Sequence, residues 1–224
     1  MIHRVPAAVI FDFDGVILDS ETPEYESHRQ VSEMFGVPLE LGEYLGHVGL
    51  YHVDHETQWF MRLRDRSPNP PDRPTFDAEK RRIFNDLVPR EPMRGILDLL
   101  DALAAVGVPM AIASTSTSRW VVPASERLGI RVRFATVVTG DDVARRKPAP
   151  DVYLEAARRL GVDPARSIAV EDSAPGITSA RAAGLKTVAI PHWLTEGHDL
   201  SAADLRVAHA GELTVARLAR LLIA

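Results

Sequence analysis

Cysteine is absent from the 224 residues. That excludes disulfides, a thiolate nucleophile and any zinc site built on cysteine. No apolar run approaches the ~20 residues that a membrane-spanning helix needs. The first apolar stretch is short, is cut by Asp12, and has no cleavage pattern behind it, so it does not read as a signal peptide. There is no excess of positive charge either. The net charge is −5, which leaves no nucleic-acid footprint. Internal repeats and low-complexity tracts are also missing. What remains is an ordinary globular balance, 46% hydrophobic and 25% charged. We therefore expect a cytoplasmic protein with no membrane or nucleic-acid partner.

Among what is present, the stretch from Ala8 to Val16 stands out. Four apolar residues, Ala8-Val9-Ile10-Phe11, lead into Asp12, Phe13, Asp14 and Gly15. The run is short and β-branched and lies between Pro6 and Gly15, which predicts a buried strand. Side chains at i and i+2 of a strand point the same way, so Asp12 and Asp14 face one spot at its carboxyl end. Two carboxylates there repel each other and resist desolvation, and a cation relieves both costs. The structural alternative is an acidic turn with Gly15 at the bend.

The remaining chain divides by pattern. A helix opens at Thr22-Pro23-Glu24, with Thr22 as its capping hydroxyl. Further helices are expected over 41–45, 53–63 and 77–87, with a proline-rich loop from Ser67 to Pro74 between the last two. From Met93 onward, strands near 109–113, 134–139, 167–170 and 186–190 alternate with helices. That alternation predicts a parallel sheet covered by helices. The fold class is therefore α/β: a Rossmann-like parallel-sheet core with an inserted α-helical cap. The expected core is 1–18 with 92–224, and the expected cap is 19–91.

Four polar clusters fall where strands of such a sheet end. They are Asp12 with Asp14, Ser114-Thr115-Ser116, Lys147-Pro148, and Glu171-Asp172-Ser173. Each has a structural explanation of its own. Hydroxyl runs cap helices, a lysine-proline pair suits a solvated loop, and Ser173 with Pro175 looks like a helix start. Together they converge on one sheet edge, where open α/β folds bind ligands. Phosphoryl transfer uses this set. Asp12 and Asp172 can hold Mg²⁺, the ion usual with phosphate substrates. Ser114 and Thr115 can bind phosphate oxygens, and Lys147 can add positive charge.

In order, Asp12-Phe13-Asp14-Gly15-Val16, Ser114-Thr115, Lys147-Pro148 and Glu171-Asp172-Ser173 with Gly176 resemble the four motifs of the haloacid dehalogenase-like hydrolase superfamily. The longer form Asp14-Gly15-Val16-Ile17-Leu18-Asp19-Ser20 is similar to its phosphoglucomutase/phosphatase branch. The resemblance covers essentially the whole chain and implies roles. Asp12 would be the nucleophile that becomes an aspartyl-phosphate. Asp14 would be the general acid and then base, with its backbone carbonyl on Mg²⁺. Asp12 and Asp172 would be side-chain ligands, with Glu171 either a ligand or a group behind them. The resemblance implies a Mg²⁺-dependent phosphatase acting on a small phosphorylated metabolite such as a sugar phosphate.

Mutase relatives carry histidine where Glu24 stands here, which favours hydrolysis over a β-phosphoglucomutase-like reaction. His28 lies one turn on and is not expected to take that role. A phosphoacceptor signalling module is the alternative of another class, but such modules have no large helical insertion. His47, His52 and His55 are expected on the surface of the insertion. Trp59 and Phe60 are expected in its core, and His192 and Trp193 in a loop.

Overall fold

The computed structural model describes residues 5–46 and 55–223. The elements run β1 (Val9–Phe11), α1 (Glu21–Met34), α2 (Leu41–Leu45), α3 (His55–Arg66), α4 (Arg73–Leu87) and α5 (Ile96–Ala105). They continue with β2 (Met110–Ala113), α6 (Ser118–Arg127), β3 (Thr136–Val138), α7 (Asp151–Leu160), β4 (Ile168–Glu171) and α8 (Ala174–Ala182). The last are β5 (Lys186–Ala189), β6 (Leu205–Arg206) and α9 (Val215–Leu221). The chain forms two compact units, residues 1–18 with 90–224, and residues 19–89. No helix among the described residues is long and apolar enough to cross a membrane.

The first unit is the α/β layer. Its strands pair in parallel in the order β3-β2-β1-β4-β5-β6. Val9, Ile10 and Phe11 are all fully buried. That is how a central strand covered on both faces reads in sequence, and each such side chain contributes roughly 1.5–3 kcal/mol. Strand β1 pairs with β2 on one side and β4 on the other, so the chain changes direction there. A topological switch of this kind opens a crevice at the carboxyl ends of the two strands. Asp12 follows β1 and Asp172 follows β4.

On one face of the sheet, Ile10, Ala111, Ala113 and Ala169 pack against Val152, Tyr153 and Ala156 of α7. Small residues on the strands let that helix approach closely. Strand β6 has no counterpart among the expected strands. Its two residues are too short for a periodic signal and pair with Val188 and Ala189 of β5.

Among the described residues of the second unit the regular elements are all helices, joined by loops. Helices α1 and α4 pack along each other, and the core holds Tyr25, Val31, Tyr44, Trp59, Leu63, Phe76 and Ile83. Tyr44 stacks on Trp59 with ring centroids 5.7 Å apart. Trp59 is thus a core residue, and Phe60 packs against Phe76.

Two local expectations need correction. Thr22 does not cap α1. Ser20 stands at its N-cap without a side-chain capping bond, and the Thr22 N–H and hydroxyl donate instead to Asp19 Oδ1 and Oδ2, both at 2.9 Å. A carboxylate presents two acceptor oxygens where a hydroxyl presents one, and the helix begins at Glu21, so Thr22 already lies inside it. Helix α4 starts at Arg73 rather than Asp77. Asp72 accepts from the Thr75 N–H at 2.9 Å, and Pro74 sits in the first turn, where a missing N–H costs nothing. The end of the proline-rich loop is therefore a helix start. His47, His52 and the first residues expected for the next helix, 53 and 54, lie outside the described residues.

Candidate active site

The peptide after β1 stays in register. The Asp12 N–H donates to the Val170 carbonyl at 2.9 Å, which carries the strand one residue further. The chain then folds back sharply. Ile17 and Leu18 N–H groups both reach the Phe13 carbonyl, Gly15 N–H reaches Leu18, and Gly15 takes φ 75°. A side chain is strained in that left-handed region, so glycine suits the turn.

Lys147 is buried, not in a solvated loop. Its ammonium donates at 2.6 Å to Asp12 Oδ1 and at 2.6 Å to Glu171 Oε1. The Tyr153 hydroxyl donates to the same Glu171 oxygen at 2.5 Å. The lysine also lies over the Tyr153 ring, 5.0 Å from its centroid. Gly176 in the first turn of α8 makes room for this carboxylate. A Cβ there would sit 2.0 Å from Glu171 Oε2. Ser173 caps α8 as expected, accepting from the Gly176 N–H at 3.3 Å. The Thr195 hydroxyl lies 2.9 Å from the Asp172 carbonyl oxygen and 3.2 Å from its Oδ2.

Asp14 belongs to a second, adjoining network. The Ser116 hydroxyl donates to its Oδ2 at 2.7 Å, and the Ser114 hydroxyl lies 3.3 Å from the same atom. The Trp120 indole N–H donates to Oδ1 at 2.8 Å. Thr115 stands half-buried beside Ser114, and its carbonyl packs against Gly140, where a Cβ would come within 2.3 Å of that oxygen.

The electrostatics follow from burial. Desolvation is the largest influence on Asp12 and drives its carboxyl up to about 7; the Lys147 ammonium pulls it down, while Glu171 and Asp14 push it further up. Burial would lower the Lys147 pKa, but the two carboxylates outweigh burial and hold it above the ordinary lysine range. Burial raises the Tyr153 phenol well above its usual value, and Glu171 adds to the effect. That phenol therefore stays protonated and acts as a fixed donor.

Asp12, Glu171 and Asp172 each offer an oxygen, and these atoms lie within 4.8 Å of one another. All three residues are buried, and Asp12 remains short of positive charge even with Lys147 against it. An all-oxygen set of this kind fits a hard divalent cation such as Mg²⁺.

The helical unit holds a separate charged cluster. Lys80 pairs with Glu24 Oε1 at 2.6 Å and with Glu56. His28 Nε2 lies 3.3 Å from the same Glu24 oxygen. His28 is buried among Tyr44, Trp59 and Phe76. In the first unit, His192 is a buried residue of the loop after β5, and Trp193 beside it is half-exposed.

Trp120, Tyr153 and Thr195 carry no site signal in the sequence, and Ser116 belongs to the hydroxyl cluster there without a role of its own. Tyr153 reads in sequence as one more apolar position on a helix stripe. Trp120 is separated from Asp14 by 106 residues, and no local pattern links them.

A switch-point carboxylate bonded to a buried lysine, with acidic oxygens and hydroxyls around it, makes a charged polar centre at the carboxyl edge of an α/β sheet. The family profile of the haloacid dehalogenase-like hydrolases matches residues 9–190. Protein CbbY of Rhodobacter capsulatus is 34% identical over 212 residues, covering 89% of this chain and 92% of that one. Fructose-1-phosphate phosphatase YqaB of Escherichia coli (strain K12) is 31% identical over 194 residues, covering 81% of this chain and 95% of that one. A crystal structure of a CbbY variant from Rhodobacter sphaeroides, in complex with xylulose-(1,5)bisphosphate, superposes with a TM-score of 0.71. It is 26% identical and covers 93% of this chain and 96% of that chain. The chain belongs to the haloacid dehalogenase-like hydrolases, in the phosphatase and phosphoglucomutase branch, and is an enzyme that hydrolyses phosphoric monoesters.

Proposed function

We propose that the substrate is a small phosphorylated sugar and that Asp12 removes its phosphoryl group by way of an aspartyl-phosphate. The observation that carries this reading is the pairing of Asp12 with buried Lys147 at 2.6 Å. A nucleophilic carboxylate has to be ionised while a dianionic ester approaches, and one ammonium touching it serves both needs.

In the first half-reaction an Asp12 carboxylate oxygen bonds to phosphorus as the ester P–O bond breaks. The leaving oxygen takes a proton from Asp14, giving free alcohol and phosphorylated Asp12. In the second half, water attacks phosphorus and gives a proton to Asp14. The bond to Asp12 breaks, phosphate leaves and the carboxylate is restored. Ser114 and Thr115, with neighbouring backbone N–H groups, hold phosphate oxygens, and Lys147 neutralises charge between Asp12 and the phosphate. Asp12, Asp172 and the Asp14 carbonyl, with Glu171 as ligand or support, would hold Mg²⁺, which supplies charge neutralisation for the transferring phosphoryl group. The second acid, Asp14, suits an oxygen leaving group, since a halide would need no proton.

We assign choice of the organic group to the helical insertion, residues 19–91, acting as a cap. The sugar class is supported by the relatives, of which one is named for fructose 1-phosphate and another binds xylulose-1,5-bisphosphate. Hydrolysis is preferred over mutase chemistry because Glu24, held by Lys80, stands where mutases carry histidine.

The test is phosphate release from a panel of sugar phosphates. Turnover is expected with Mg²⁺ and should disappear in EDTA and in Asp12→Asn. Full activity in either condition would refute the reading. A sugar monophosphate isomerised faster than phosphate appears would favour the mutase instead.

A further inference from the structure

Asp14 has to deliver a proton and later receive one, so both of its oxygens have to be presented in a defined way. Its two oxygens meet chemically different partners. Oδ2 faces the hydroxyls of Ser116 and Ser114, at 2.7 and 3.3 Å. A hydroxyl rotates to donate or accept, so it tolerates either protonation state. Oδ1 faces the indole N–H of Trp120 at 2.8 Å. An indole N–H only donates. A proton placed on Oδ1 would collide with it, whereas one on Oδ2 would be accommodated by a rotated hydroxyl.

The indole is itself fixed. Its ring meets Phe13 edge to face with centroids 6.3 Å apart, and the Arg127 guanidinium lies 5.9 Å from its centroid. The helix that carries it is pinned at its start. Asp141 accepts from both the N–H and the hydroxyl of Ser118, at 2.8 and 2.9 Å.

From this geometry we propose that Trp120 is a positioning residue for the acid and base steps. By occupying Oδ1 it holds the Asp14 carboxyl in one rotamer and leaves Oδ2 as the oxygen that carries the transferable proton. The proposal rests on the phosphatase reading above. In its terms, the ester P–O bond breaks, the Asp12–phosphorus bond forms, and the Oδ2 proton moves to the leaving oxygen.

Leaving-group dependence tests it, because a nitrophenolate departs without help while an alkoxide needs the proton. Trp120→Phe keeps the ring and removes the N–H. In single-turnover experiments with Mg²⁺ and enzyme in excess, alcohol release is followed from an alkyl phosphate and from p-nitrophenyl phosphate. A misplaced general acid should slow the alkyl ester by about tenfold or more and the nitrophenyl ester by less than about threefold. Substrate affinity should stay near wild type for both. Ser116→Ala, which loosens the other oxygen, should show the same selectivity.

Equal slowing of both esters in Trp120→Phe, or of neither, would overturn the proposal. Should that variant fail to fold, an isostere with sulfur in place of the ring N–H, Trp120→benzothienylalanine, is put through the same comparison with the same two outcomes. A wild-type enzyme inert to both esters would overturn the phosphatase reading and this proposal together. An active wild type with an indifferent Trp120 variant overturns this proposal alone.

Discussion

Gly176→Ala sets two physical effects against each other. Gly176 lies in the first turn of α8, and alanine is favoured over glycine in a helix by about 1 kcal/mol. Local propensity therefore predicts a small gain. The tertiary structure predicts a loss. An added Cβ would stand 2.0 Å from Glu171 Oε2 and 2.2 Å from Oε1, where ordinary contact begins at 3.4 Å. The carboxylate has to move, yet it is fully buried and bonded to Lys147 and Tyr153 on its other side. Breaking one hydrogen bond to a buried charge costs about 1.5–3 kcal/mol, and overpacking a tight site adds about 1–3 kcal/mol. After the helical gain the net loss is about 1.5–5 kcal/mol. For a chain of this size that lowers the unfolding midpoint by roughly 3–20 °C. The assay is thermal unfolding in EDTA, so that metal binding does not contribute. A midpoint equal to or above wild type would refute the claim that Glu171 is held too tightly to yield.

Tyr153→Phe removes one donor from Glu171 and keeps the ring beneath Lys147. It should cost about 2 kcal/mol in thermal unfolding, and a loss under half that would deny the bond its weight. Asp12 makes stability depend on pH. Its folded pKa is raised to about 7, so without metal its contribution is present below the unfolded pKa of about 4 and is lost as pH rises through 7. Because Mg²⁺ binds the ionised form, the rise in melting temperature on adding Mg²⁺ should be larger at pH 8 than at pH 5.5. An equal rise at both would count against Asp12 as a ligand. Glu24 has the opposite sign. Burial would raise it, but the His28 contact and the Lys80 charge outweigh burial and hold it below the ordinary carboxylate range. Its contribution is present above pH ~4.3 and is lost as pH falls through the depressed value. Lys80→Met should therefore flatten the acid limb of the stability profile. It should also cost about 1–2 kcal/mol at neutral pH, since both carboxylates keep partial exposure.

Much of the architecture is written locally. Val9-Ile10-Phe11 followed by two acids marks a buried central strand with a polar end, because burial on both faces demands an unbroken apolar run. The alternation after Met93 marks a parallel sheet, since parallel neighbours need a helical crossover. Where signals were short or shared they misled. Asp19 and Asp72 take the free N–H groups of Thr22 and Thr75 because a carboxylate competes well for them, and β6 is only two residues long. The candidate site was legible as strand ends, where side chains face the crevice by topology alone.

By itself, then, the order of residues determined which elements form and which polar groups end each strand, because hydrophobic period and turn chemistry act over a few residues. Only the tertiary structure decided the partners. It set Lys147 between Asp12 and Glu171, placed Tyr153 behind them and brought Trp120 to Asp14 across 106 residues. Hydrogen bonds and ion pairs fall off within a few ångströms, so their partners depend on packing geometry that no stretch of sequence carries.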